Sequence, residues 1–138
     1  MDRAQLQQLA ELRVQDAEAL LTVSRWDAAY YLLGYAIECA LKACVAKQFR
    51  LHEVPDKELV NSFYTHSFDR LLAISGVKSN LEIRRKVDTS FGENWNTVRD
   101  WSETVRYEVG KTEAVARGMY EAVTNSATGI LPWLKTQW

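Results

Sequence analysis

The chain has 138 residues, 47% of them hydrophobic and 25% charged, with a formal net charge of −1. Such a length and composition predict one globular domain over residues 1–138, long enough to bury a real core. The near-zero charge excludes a global attraction to nucleic acid or to an anionic membrane, so any RNA contact must come from a local basic patch.

Asp2 to about Val23 predicts a first helix, with Leu6, Leu9, Leu12, Ala17, Leu20 and Leu21 at helical spacing and Gln, Glu and Arg on the other face. The charged start lacks the apolar stretch of a signal peptide, which predicts a cytoplasmic protein. Ser24 is placed to cap the next helix, with Asp27 as the acidic partner of a capping box. Only a short turn is available there, so the first helix should fold back antiparallel onto the second.

Trp26–Phe49 predicts one long helix around which the rest is organised. It has no Pro and a single Gly (Gly34), and it is rich in Ala and Leu. It is apolar nearly all round, through Ala29, Leu32, Leu33, Ala36, Ile37, Ala40, Leu41, Ala43 and Cys44, which places it in the middle of a bundle. Asp27, Glu38 and Lys42 make membrane insertion costly, so no membrane role is expected. Cys39 and Cys44 lie roughly 140° apart on the helix, which suits neither a disulfide nor a metal knuckle. They read as small core residues of a reducing compartment. Tyr31, Tyr35, Glu38 and Lys42 share one face. That polar stripe is either a structural ion pair with snorkelling tyrosines or the lining of a cleft.

Beyond Phe49 the pattern changes. Residues 50–59, with Pro55, predict an exposed connection. A third helix opens between Ser62 and Ser67, carries Phe68, Leu71, Leu72 and Ile74, and stops at Gly76. Asn80 is positioned to cap a fourth segment over Leu81–Phe91, which holds the one tight basic cluster, Arg84, Arg85 and Lys86. Gly92 and Asn94 predict a bend before Trp95–Trp101, and Ser102–Gly110 predicts a turn or extended link. A last helix runs from Lys111 with Val115, Met119, Ala122, Val123, Ile130 and Leu131 inward, until Pro132 breaks or kinks it. The apolar tail, Trp133, Leu134 and Trp138, either folds back on the bundle or belongs to a dimer interface. About five helical stretches without strand alternation predict an all-α, up-and-down antiparallel bundle.

Several chemistries are excluded by missing motifs. The two histidines, His52 and His66, belong to no ExxH or HExxH pair, so neither a metal centre nor a cofactor is expected. Gly110-Lys111-Thr112 imitates the end of a P-loop, but Val105 stands where the first Gly is required. No GxSxG elbow suggests a hydrolase.

Three fragments, in order and correctly spaced, resemble the HEPN family. Ala36-Ile37-Glu38 followed by Ala40-Leu41-Lys42-Ala43 is similar to the family's AxExxLKA core. Thr65-His66-Ser67-Phe68, with Leu71 and Leu72, resembles the opening of its next helix, and Arg106-Tyr107 after Ser102-Glu103 resembles the RY that precedes its last helix. The resemblance implies a helical bundle that forms a homodimer, often encoded in toxin–antitoxin or phage-defence operons beside a small nucleotidyltransferase partner. Catalytic members are metal-independent RNases with an Arg-x4–6-His motif. Here the positions for that Arg are Val45, Ala46 and Lys47 before His52, and Leu59, Val60 and Asn61 before His66. The motif is absent.

The polar candidates for a site are therefore Tyr31, Tyr35, Glu38, Lys42, His66, Arg99, Glu103, Arg106 and Tyr107. Arg suits bidentate phosphate binding and Tyr can stack on a base. The leading expectation is a dimeric, non-catalytic module binding a nucleotide, RNA or a partner protein. The rivals are an RNase of degenerate motif, with Arg106 or Arg99 on the phosphate and Glu103 or His66 moving the proton, and a structural assembly subunit.

Overall fold

The computed structural model describes residues 1–50 and 52–138, and among these the chain is all-helical. Its elements are α1 (Arg3–Thr22), α2 (Trp26–Ala46), α3 (Lys57–Phe63), α4 (Phe68–Ile74), α5 (Lys78–Val87), α6 (Thr89–Arg99), a 3₁₀ turn (Glu103–Tyr107), α7 (Glu113–Thr124) and α8 (Ile130–Lys135). The all-α class stands, with eight α-helices among the described residues where about five were predicted.

The difference lies in caps. Asp2 and Gln5 form a reciprocal capping box at the start of α1. Leu6, Ala10, Val14, Ala17 and Leu21 then turn toward α2, and the alanines let the two helices approach closely. Thirteen of the 21 residues of α2 are buried, because α1, α4, α7, α8 and the 3₁₀ turn all pack on it. Leu33, Ile37 and Leu41 are fully covered, each contributing about 1.5–3 kcal/mol by leaving water. By length and composition α2 could span a bilayer, but most of it is enclosed by protein.

Several expected boundaries are corrected. Ser24 does not cap α2. It adopts φ 61°, and Arg25 stands at the N-cap without a side-chain bond. Asp27 serves a distant loop instead, accepting from the N–H groups of Gly110 and Lys111 at 3.2 and 2.7 Å. Helix α2 stops at Ala46 rather than Phe49, since its last amides tighten onto carbonyls three residues back. The expected connection 50–59 ends early, because Asp56 caps α3 by accepting from Glu58 N–H at 2.7 Å. Ser67 caps α4, and Gly76 ends that segment at φ 78°.

Asn80 lies inside α5 and caps nothing. The predicted fourth segment is split at Asp88, which accepts from Phe91 N–H at 3.0 Å and pairs with Arg84 at 3.0 Å. No bend occurs at Gly92 and Asn94; both are inside α6, where Asn94 donates to the Thr128 carbonyl at 3.0 Å. The predicted last helix is also two. Asn125 Oδ1 accepts from the N–H groups of Ala127 and Thr128, turning the chain between α7 and α8. Pro132 sits in the first turn of α8, where its missing N–H costs no helical bond. Val115, expected inward, is 44% exposed. The apolar tail folds back: Leu134 is buried, Trp133 meets Phe91 edge-on at 5.5 Å, and Trp138 packs on the core.

Candidate functional site

The polar stripe of α2 forms as its spacing predicts, and His66 in the link between α3 and α4 completes it. Glu38 is only 2% exposed, yet its Oε1 accepts from Lys42 Nζ at 3.0 Å and from His66 Nδ1 at 2.9 Å. A carboxylate oxygen can only accept, so Nδ1 carries the hydrogen and Nε2 is the uncommitted ring nitrogen. The His66 side chain is 48% exposed, while Lys42 is 14% exposed. Glu38 Oε2 is buried without a hydrogen-bond partner. A buried acid thus holds two cationic or proton-carrying groups at the surface, the geometry in which a carboxylate orients an imidazole.

Toward the N-terminal end of the stripe the face is aromatic. Tyr35 stacks with Tyr31 at 6.3 Å, Tyr31 with Trp101 at 6.0 Å, and Trp101 with Phe68 at 5.1 Å. Trp101 fits because position 34 is Gly: a Cβ there would overlap the indole. Burial, then the nearby Cys39 and Glu38, push the Tyr35 hydroxyl above its ordinary value. Burial likewise raises the Cys39 thiol to about 11, with Glu38 adding to the effect. Both groups are therefore neutral at physiological pH.

The 3₁₀ turn brings Arg106 to this aromatic end. Its guanidinium lies 4.8 Å over the Tyr107 ring, and the Tyr107 and then Tyr31 hydroxyls push it further above its ordinary value. Tyr107 is 77% exposed. Tyr31 and Glu38 are seven residues apart, so the two cationic ends of the face are separated by about 10 Å along α2.

Of the predicted residues, the structure brings Tyr31, Tyr35, Glu38, Lys42, His66 and Arg106 onto one face, with Tyr107 beside Arg106. Glu103 is half-buried in the same 3₁₀ turn. Arg99 belongs to a different arrangement, an exposed pair with Asp69 at 3.7 Å. The sequence reading missed Trp101, although a lone glycine in a long helix is a signal for a close approach. It also missed the Glu38–His66 bond, which joins residues 28 apart. Among the described residues no group of three or more His, Cys, Asp or Glu side chains could hold a metal ion. No protein-family model, no curated protein and no solved structure matches this chain.

Proposed function

We propose that the chain is a HEPN-like, up-and-down helical module that dimerises and binds the phosphate of a nucleotide or RNA without efficient catalysis, beside a nucleotidyltransferase partner in a toxin–antitoxin or phage-defence setting. The observation that carries this reading is the half-exposed His66, fixed through Nδ1 by a buried Glu38 that also holds Lys42. The Lys42 ammonium has N–H donors beyond the one that Glu38 takes, and these suit a phosphate oxygen; His66 adds an Nε2–H beside them when its ring carries both protons. Arg106 supplies a second, permanently charged contact about two helical turns away, and Tyr107 offers an exposed ring for a base. Glu103 and Arg99 are left outside the binding role.

The test is fluorescence anisotropy with a labelled single-stranded RNA in EDTA, comparing wild type with His66→Ala and Arg106→Ala. Each variant should weaken binding by about ten- to a hundredfold while retaining its helical content, in line with about 1.5–3 kcal/mol for a charged hydrogen bond. Binding that is absent in wild type, or untouched in both variants, counts against the proposal, as does a tight monomer in sedimentation. The orientation of His66 by Glu38 also favours the second reading, a degenerate metal-independent RNase with Arg106 on the phosphate and His66 moving the proton. RNA cut by wild type but not by His66→Ala would select it.

A further inference from the structure

Helix α3 is attached unlike any other part of the bundle. It is seven residues long, too short to persist alone, and none of its residues is buried. Its C-terminal Phe63 is half-buried, tilted against Phe49 at 6.3 Å, with Lys42 Nζ 5.5 Å from the ring centre. Beside it lies a largely apolar cleft of about 390 Å³, walled by Ala46, Phe49, Val60 and Phe63 and closed on one side by the N-terminal Met1 and Arg3. The approach to α3 is equally uncovered by the bundle. His52 sits at φ 69° and Val54 is 96% exposed. On the far side Tyr64 is 76% exposed, and His66 follows Phe63 by three residues.

We propose that α3 is a lid over the Glu38–Lys42 end of the polar face. It swings as a unit on the residues flanking it, lifts Phe63 from Lys42, and through the short link to His66 draws the imidazole away from Glu38. Segments that open below the global unfolding energy are those with few buried apolar contacts, and α3 has the fewest side chains to lose. Closure would give the environment described above, with Lys42 nearly covered and one acid oxygen shared by two donors. Opening would present Lys42 and the apolar cleft together. The motion is a property of the free chain and does not depend on which ligand the face takes.

The experiment therefore uses ligand-free protein: hydrogen exchange read by mass spectrometry, alongside acetylation of lysines, in wild type and Asp56→Ala. Asp56 caps α3 about 10 Å from Phe63 along the helix, so its removal loosens α3 without deleting anything that covers Lys42. In wild type, α3 amides should exchange well ahead of those in α4. Asp56→Ala should raise both α3 exchange and Lys42 acetylation by about fivefold, the usual worth of a helix cap, with α2 amides and Lys135 unchanged. The proposal is overturned if α3 is protected together with α4, if the rise extends equally to α2, or if α3 exchange rises while Lys42 reactivity does not. None of these outcomes bears on RNA binding, so the lid and the ligand can fail separately.

Discussion

Replacing Gly34 by alanine adds one methyl group where the Trp101 indole lies against α2. By propensity alone the change is favourable by about 1 kcal/mol, since glycine is the poorest helix former after proline. The new Cβ, however, would overlap the five-membered ring of the indole at Nε1, Cδ1 and Cδ2, and Trp101 is only 4% exposed, boxed in by Tyr31 and Phe68. Overpacking of this kind costs about 1–3 kcal/mol, and expelling a large aromatic altogether approaches the roughly 3–5 kcal/mol of its truncation. Set against the gain in propensity, the net expectation is a loss of up to about 2 kcal/mol if the indole shifts in place and about 2–4 kcal/mol if it is expelled. Gly118→Ala is the matched control: it lies inside α7 with nothing within 4 Å of the added Cβ, so it should gain up to about 1 kcal/mol. Urea unfolding followed by far-UV circular dichroism measures both. If Gly34→Ala is as stable as wild type, the indole is not seated on α2, and the aromatic end of the face must be redrawn.

Three further outcomes follow from the packing and the charges. Burial pushes the Cys39 and Cys44 thiols up to about 11, so the native protein should resist a thiol reagent at neutral pH until denatured; prompt labelling of folded protein would contradict their placement. The Phe91 N–H, then Arg84, hold Asp88 below its ordinary 3.8. Its contribution is therefore present above 3.8 and lost as pH falls through the lower folded value, so Asp88→Asn should reduce stability at neutral pH and flatten the acid limb of the profile. A loss that is the same at every pH would refute this. Glu38→Ala strands a Lys42 that is 14% exposed and should cost about 3 kcal/mol, whereas Glu38→Met with Lys42→Met should recover most of it. If the double variant also keeps full RNA affinity, the stripe is architecture and not a binding face.

Local patterns carried the sequence reading as far as interactions between near neighbours extend. The periodicity of α1, the all-round apolarity of α2 and the Glu38–Lys42 spacing are short-range facts, and each is found in the fold. The errors come where one side chain decides a boundary. Asp88 ends α5 and starts α6 at once, so one apolar pattern runs through two helices. Gly92 looked like a bend, but its bare Cα lets α6 pass within 3.4 Å of the Arg85 carbonyl, measured from where a Cβ would stand. Asp27 had a local capping role available and took a tertiary one with Gly110 and Lys111. At the candidate site the acid and the lysine were legible as i and i+4, while the histidine was recognisable only as a residue type. Its partner is chosen by the packing of α4 on α2, which no local pattern encodes.

The central position of α2 also constrains how the chain can be made. Its apolar surface is shared among neighbours that arrive at different times. Helix α1 is already available, whereas α7 and α8 begin more than 60 and 80 residues after α2 ends. At about 5–20 residues per second of synthesis, the α1–α2 hairpin would stand with an uncovered greasy flank for several seconds on the ribosome. Burial of that flank waits for α7 and α8, so the nascent hairpin is the form most exposed to chaperone capture or to pairing with a neighbouring hairpin.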